Sequence, residues 1–446
     1  MGAGALNRVH RRLLRRPFLP CYPGAMAYAA SMGWVAGSAL GFLLVATLPS
    51  PAPADLAPEV PGEIERLAKP FDPHWIWVTD LFLERVALVD LDSGRFLGLV
   101  NSGYGPALAL FPKSRSEMYL PATYFSRRFR GERTDVLEVW DIETLSFVAE
   151  IELPSKRAID SFALGHAALT DDDRFAAVLN WTPATSLSIV DVERRTLAGE
   201  VPIPGCSLAF AAGPRRLLSL CGDGAALAVH LDNDGALSDV RRSVPFFDPA
   251  TDPVTEKAVR FRDQWLFASF AGMIHAVDVS GPDLAFPLPW SLLSDADRAD
   301  AWQVGGLQYL AVHEPSGRLY ALVHRGGPDG HKEPGEEVWV YDIERRERVA
   351  RIPLRHPGLA IYGEVIDIGN DWIWPFNGLF DWFLDSVVPP LVTHIQVTRD
   401  DEPLLFTASQ FTGSIGVYDA RSGEMIRRVQ PTGWTSETLY APFGAH

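Results

Sequence analysis

VWVYDIERRERVARI, residues 338–352, and IGVYDARSGEMIRRV, residues 415–429, are one phrase written twice: an apolar strand, an aspartate, a short turn and a second strand. The phrase returns as VALVDLDSGRFLGLV (86–100), VLEVWDIETLSFVAEI (136–151), LSIVDVERRTLAGEV (187–201), LAVHLDNDGAL (227–237) and IHAVDVSG (274–281). Its aspartates are Asp90, Asp141, Asp191, Asp232, Asp278, Asp342 and Asp419. An aspartate there accepts bonds from the turn backbone, and a glycine behind it, where present, takes up positive φ, so each phrase predicts a hairpin. A single hairpin cannot bury both faces, but units stacked around an axis cover one another's faces and edges. The markers lie 51, 50, 41, 46, 64 and 77 residues apart, which fits one four-stranded blade per unit with insertions in the last two. The expectation is an all-β chain folded as a seven-bladed β-propeller; a pair of β-sandwiches is the weaker alternative.

Ahead of the repeats the composition changes. Residues 1–54 contain no acidic residue, and Arg8, Arg11, Arg12, Arg15 and Arg16 precede a mostly apolar run of 24 residues from Ala25 to Leu48. A basic flank before such a run reads as an export signal or an N-terminal membrane anchor. Gly33, Gly37 and Gly41 weaken the run as a helix, and Ala52-Pro53-Ala54 offers small residues suited to a signal peptidase. The expected organisation is therefore 1–54 signal or anchor, 55–70 linker and 71–446 propeller, in the periplasm and open to tethering at the inner membrane.

A net charge of −16 argues against nucleic-acid binding, since the surface repels phosphate. Of the three cysteines, Cys206 and Cys221 flank SLAFAAGPRRLLSL. If Gly213-Pro214 is the tip of a hairpin, the two stand opposite one another within disulfide reach, and an oxidising compartment would keep the bond. Cys21 falls in the export segment.

Signatures of self-contained catalysis are missing: no phosphate-binding loop, HExxH, GxSxG or paired CxxC occurs. His313, His324 and His331 have no third ligand fixed by spacing, so hairpin hydrogen bonding is the simpler account, and Asp263 and Asp278 read as turn or surface groups. No catalytic or metal-binding residue is assigned. Two segments suggest partners instead. Arg127, Arg128, Arg130 and Arg133 crowd one stretch of an acidic chain and either suit a carboxylate-rich partner surface or are neutralised by neighbouring acids. Residues 361–388 gather Trp372, Trp374, Phe376, Phe380, Trp382 and Phe383, an aromatic insertion that covers the domain itself, meets a partner or touches a membrane.

FSRRFRGERTDVLEVWD (125–141), the hairpin closing in CGDGAALAV (221–229), SLLSDADRADAWQVGGLQYLAVH (291–313), HKEPGEEVWVYD (331–342) and VTRDDEPLLFTAS (397–409) together resemble the heavy chains of methylamine and aromatic amine dehydrogenases. The resemblance runs over about residues 70 to 440. It implies a propeller with no cofactor of its own, in a heterotetramer of two heavy and two light chains. It places a tryptophan tryptophylquinone in the light chain, where primary amines are oxidised to aldehyde and ammonia. Electrons would pass to a copper protein or a c-type cytochrome. It further implies a phenylalanine at the mouth of the substrate channel, which VTDLFLERVALVD (78–90) matches approximately at Phe82. The insertion at 361–388 and the N-terminal apolar run depart from the family pattern, leaving a stand-alone binding or scaffold propeller as the alternative. A hydrolase or lactonase would need polar ligands converging on the central channel.

Overall fold

The computed structural model describes residues 66–443 apart from 70, 81, 160–162, 328, 356–358, 362–363, 367–388, 412–413 and 430–435, and the backbone alone at 359–361 and 364–366. Seven antiparallel sheets surround one axis. Blade one is Trp75–Asp80, Arg85–Asp90 and Phe96–Asn101, completed on the inside by Thr438–Tyr440 from the far end of the chain. Blade two is Glu117–Phe125, Arg133–Asp141 and Ser146–Leu153, with a bridge between Leu110 and Tyr119 in place of an inner strand. Blade three holds Ala167–Leu169, Phe175–Asn180, Ser186–Asp191 and Thr196–Pro202, and blade four Cys206–Ala211, Arg216–Cys221, Ala226–Leu231 and Leu237–Arg242. Val259–Phe261, Gln264–Ala268, Met273–Asp278 and Trp290–Ser291 make blade five. In blade six, Trp302–Val304 and Leu310–His313 both pair with Arg318–Arg325, followed by Glu337–Asp342 and Glu347–Pro353. Blade seven is His394–Val397, Leu404–Ala408, Ile415–Asp419 and Met425–Val429.

The pleat explains why the middle strands are apolar throughout. In blade three Phe175, Ala177 and Leu179 pack toward Leu217 and Val229 of blade four, while Ala176 and Val178 pack toward Leu137 and Val139 of blade two. Successive side chains leave opposite faces of a strand, and here both faces meet a neighbour. Similar layers join every other adjacent pair of blades. Outer strands touch a neighbour less, and Leu237–Arg242 is exposed along its whole length.

Each marker aspartate ends the third strand of its blade or, for Asp232, directly follows it, and all seven accept backbone N–H bonds from the turn that follows. The donors lie at 2.9 Å from Asp90, 2.8 and 2.9 Å from Asp141, 2.9 and 3.1 Å from Asp191 and 2.8 and 2.9 Å from Asp232. For Asp278, Asp342 and Asp419 the nearest are at 2.9, 2.9 and 2.6 Å. Four residues beyond the aspartate the backbone turns left-handed at Gly94 and Gly423, as expected, but also at Leu145, Arg195 and Arg346. Leu145 packs against Gly98, where a Cβ would meet it at 2.3 Å, so its side chain contributes contact in return for the strained backbone.

Cys206 stands opposite Cys221 in the ladder between the first two strands of blade four, and the two form a disulfide. Closure of the ring rests on blades six, seven and one. Leu439 is hydrogen-bonded on both backbone groups by the buried side-chain amide of Gln308, at 2.9 Å each. Ile395 donates to the Gln308 carbonyl at 2.8 Å. On the marker-turn side His74 bridges Asp92 of blade one and Asp400 of blade seven, at 2.9 and 3.1 Å. The expected inner-membrane tether is corrected: among the described residues no helix is long and apolar enough to cross a membrane. The apolar run 25–48 itself lies outside the described residues.

Two outcomes follow. Arg346 is exposed at φ 58°, so Arg346→Gly should raise stability by up to about 1 kcal/mol in denaturant titration, relief of left-handed strain outweighing the added chain entropy. For His74, burial lowers the pKa but hydrogen bonds and charge from Asp92 and Asp400 outweigh it, leaving the pKa raised. Its contribution is then fully present below the unfolded value near 6.5 and is lost as pH rises through the folded one. Thermal melts from pH 5 to 9 should show this loss, and His74→Gln should remove that component of the pH dependence.

Candidate functional site

Strands alternate in direction from the axis outward, so the marker turns all fall on one face of the ring, and the hairpin loops between second and third strands fall on the other. The connections from each outer strand to the next inner strand also emerge on that second face, the loop face. Both ends of the segment containing 361–388 therefore leave from the loop face. Trp372, Trp374 and Trp382 lie outside the described residues.

Four neighbouring blades carry exposed aromatic side chains in these loops. They are Phe82 in blade one, Phe129 in blade two, Trp181 in blade three and Phe411 in blade seven, exposed by 68, 60, 38 and 60%. Leu83 and Tyr124 stand beside them, also exposed. The arginine segment is the loop of blade two. Arg127, Arg128 and Arg130 are exposed around Phe129, the Arg128 guanidinium lying 4.8 Å from the ring centroid. Phe129 also meets Tyr104 edge-on at 5.8 Å. Arg133 separates from this group: it binds the fully buried Asp135 at 2.8 Å and the Arg157 carbonyl at 2.7 Å. Asp135 accepts in addition from Thr123 and from the Arg157 N–H, both at 2.8 Å, which fixes the base of the loop. Burial brings Arg157 down to about 10, still charged at neutral pH.

Inside this rim the axis opens into a cavity of about 800 Å³. Phe82, Trp181 and Phe411 line its mouth along with Leu208 and Leu307, and His166, Glu256, Lys257, Lys332, Ser436 and Glu437 supply polar groups. Asp80 positions Phe82: one of its carboxylate oxygens accepts the Phe82 and Leu83 N–H groups, each at 2.9 Å. Burial lowers the Lys257 pKa, and its ammonium donates to the Gly306 carbonyl at 3.1 Å. Deeper in the ring, burial pulls His394 down to about 3, so it is neutral.

A second cavity, of about 590 Å³, opens on the marker-turn face around Arg216. That guanidinium is spent on carbonyls of Ala212, Val279, Gly281 and Pro282. The histidines near the repeats are engaged locally: His313 with Ser316 and the Asp400 carbonyl, His324 with the Arg325 carbonyl, and His331 stacked on Phe270 at 4.0 Å. Among the described residues no three potential metal ligands come together. Asp278 serves its turn, and Asp263 lies 3.8 Å from Arg260.

The sequence reading reached Phe82 and the arginine loop but missed Phe129, Trp181, Phe411 and Glu437. Three of these are aromatics in the loop after a second strand, the same slot as Phe82, a pattern that is visible once the blades are aligned. Glu437 carried no signal, because the short strand it precedes is completed only by pairing with the chain's other end.

Comparison with known proteins agrees with this architecture. The family model described as methylamine dehydrogenase heavy chain matches residues 71–364. The methylamine dehydrogenase heavy chain of Paracoccus versutus is 29% identical over 378 residues, covering 84% of this chain and 79% of that protein. That of Methylorubrum extorquens is 24% identical over 426 residues, covering 92% and 93%. Among solved structures, a protein of unknown function from Desulfotomaculum acetoxidans superposes with a TM-score of 0.54 at 14% identity, covering 82% of this chain and 98% of that one, a likeness of fold. With two thirds of its length matched by the family model, the chain belongs to the methylamine dehydrogenase heavy chain family.

Proposed function

We propose that this chain is the large, non-catalytic subunit of a quinoprotein amine dehydrogenase, and that the loop face is the seat of its light chain. The observation that carries the reading is a cluster of exposed aromatics on the loop face. Phe82, Phe129, Trp181 and Phe411 cluster on the loops of four consecutive blades around an open cavity. Large apolar side chains grouped on one face mark an interaction surface, and aromatics with arginines are the residues enriched in interface cores. Arg127, Arg128 and Arg130 add positive charge that suits an acidic partner edge. Under this reading the tryptophan tryptophylquinone belongs to the light chain, and two heavy and two light chains assemble. Primary amines are oxidised to aldehyde and ammonia there, with a copper protein or c-type cytochrome taking the electrons. This chain contributes shape: Phe82, held by Asp80, narrows the entrance and sorts amines by fit. The oxidised Cys206–Cys221 pair agrees with an exported protein.

Intact-mass analysis of every chain that co-purifies with the native protein tests the assembly. A stoichiometric small chain with oxidised, cross-linked tryptophans is expected; the propeller alone, or with an unmodified partner, would favour a binding or scaffold role. Within the complex, Phe129→Asp should weaken light-chain affinity by about 2 kcal/mol or more, as for a buried aromatic anchor. Replacing Arg127, Arg128 and Arg130 by alanine should cost less but flatten the salt dependence of association. Unchanged affinity in both variants would move the seat elsewhere.

A further inference from the structure

The loop-face cavity is lined by a buried carboxyl group, Glu437, one of whose oxygens meets no partner among the described residues. Thr79 faces Thr438 in the ladder that closes the ring, and the Glu437 N–H donates to the Thr79 carbonyl at 2.9 Å. The ladder ends at that pair, and just beyond it Asp80 comes near enough to Glu437 for its charge to act on the Glu437 carboxyl. Both are buried, Asp80 to 2% and Glu437 to 9% exposure. The Asp80 carboxylate is occupied by the Phe82 and Leu83 N–H groups. Glu437 lines the cavity, and among the described residues its Oε2 has no hydrogen-bond partner; nor does the Oγ of Ser436 beside it. Buried polar atoms are almost always satisfied, and leaving a carboxyl oxygen bare is costly unless something from the cavity meets it.

The surroundings narrow down what that is. Phe82, Trp181, Leu307 and Phe411 give the cavity an apolar wall fit for a hydrocarbon body. Lys257 does not cancel the acidic end, because its ammonium is held by the Gly306 carbonyl, lies 5.4 Å from the centre of the Tyr309 ring and has Glu256 at 3.9 Å. Lys332 is exposed, and His166 stands toward Trp181, at a ring separation of 6.3 Å. A calcium or magnesium ion wants six or more oxygen ligands and a zinc ion at least three protein ligands, and no group of three ligating side chains exists among the described residues. We propose that Glu437, set against Asp80 beneath Phe82, is the head-group site for a primary alkylammonium ion whose hydrocarbon chain lies along the apolar wall. In naming an amine the inference rests on the amine dehydrogenase reading, while the binding itself is a property of this chain. Burial, with repulsion from Asp80 added, pushes the Glu437 carboxyl up to about 8, so the empty site carries a proton at pH 7. An arriving alkylammonium ion keeps its own three N–H bonds and donates to the carboxylate, and the carboxyl proton leaves to solvent. Affinity therefore rises with pH until Glu437 ionises unaided and then levels off.

Titration calorimetry of the full chain with n-propylammonium chloride at pH 7, in phosphate and in HEPES, reads both binding and proton release. The expected result is one saturable site, release of nearly one proton per ion, and no comparable binding of sodium. Glu437→Gln should weaken binding at least about tenfold and abolish the buffer dependence, since the isosteric amide holds no exchangeable charge. Phe82→Ala should keep the proton release while changing the preference among alkyl chain lengths. Absence of saturable heat, binding without proton release, equal binding of sodium, or wild-type affinity in Glu437→Gln would each overturn the proposal. Proton release is read on the unaltered chain, so poor folding of a variant leaves the test intact. A chain that carries a quinone-bearing light chain yet fails the titration loses this inference alone; one that titrates as expected without a light chain keeps the site and loses the subunit reading.

Discussion

Everything in this molecule hangs on the pairing of Thr438–Tyr440 with Trp75–Asp80. A propeller blade is stable only between two neighbours, and blade one has its inner strand supplied by the last residues of the described chain. Three residues make a weak strand by themselves. The structure compensates by sending Gln308 across from blade six, its amide satisfying both backbone groups of Leu439 as a further strand would. His74 ties the same junction on the marker-turn face. The candidate site inherits this constraint directly, since Phe82 and Asp80 come from one side of the closing ladder and Glu437 from the other. The cavity is built where the ends of the ring meet, and it exists only in the closed ring.

The two faces divide the labour. On the marker-turn face each aspartate folds a short turn onto itself, and ion pairs between blades, such as Arg115 with Glu193 and Arg194 with Asp234, run from blade to blade. Such turns spend their polar groups internally. On the loop face the connections are longer and more varied, and exposed aromatics from four consecutive blades come together there. A rigid ring presenting variable loops is well suited to holding a partner in fixed register, which is the part a heavy chain would play.

The repeat was legible because its cause is local: an aspartate and a turn leave the same trace seven times, whatever surrounds them. Blade count followed from that trace, and the Cys206–Cys221 pairing from an equally local one, two cysteines placed evenly about the Gly213-Pro214 tip of a hairpin. Less legible were the inner strands, which reduce in blade two to a single bridge at Leu110 and in blade one to TLY, too short for any periodicity to show. Spacing grouped Arg133 with Arg127, Arg128 and Arg130, because sequence cannot see that Asp135 and the Arg157 carbonyl capture it. Phe82 came from family resemblance and proves to line the cavity, whereas Trp181 and Phe411 needed the blades aligned. The left-handed residues Leu145, Arg195 and Arg346 were invisible, since the turn imposes the conformation that glycine would otherwise signal.

The central claim is that the loop face receives the partner chain. Amide hydrogen exchange on this chain, measured alone and in its native complex, tests it most directly. Protection on assembly is expected in the loops that carry Phe82, Phe129, Trp181 and Phe411, with the marker turns at Asp90, Asp191, Asp342 and Asp419 unchanged. Protection confined to the marker turns or to outer strands such as Leu237–Arg242 would contradict it.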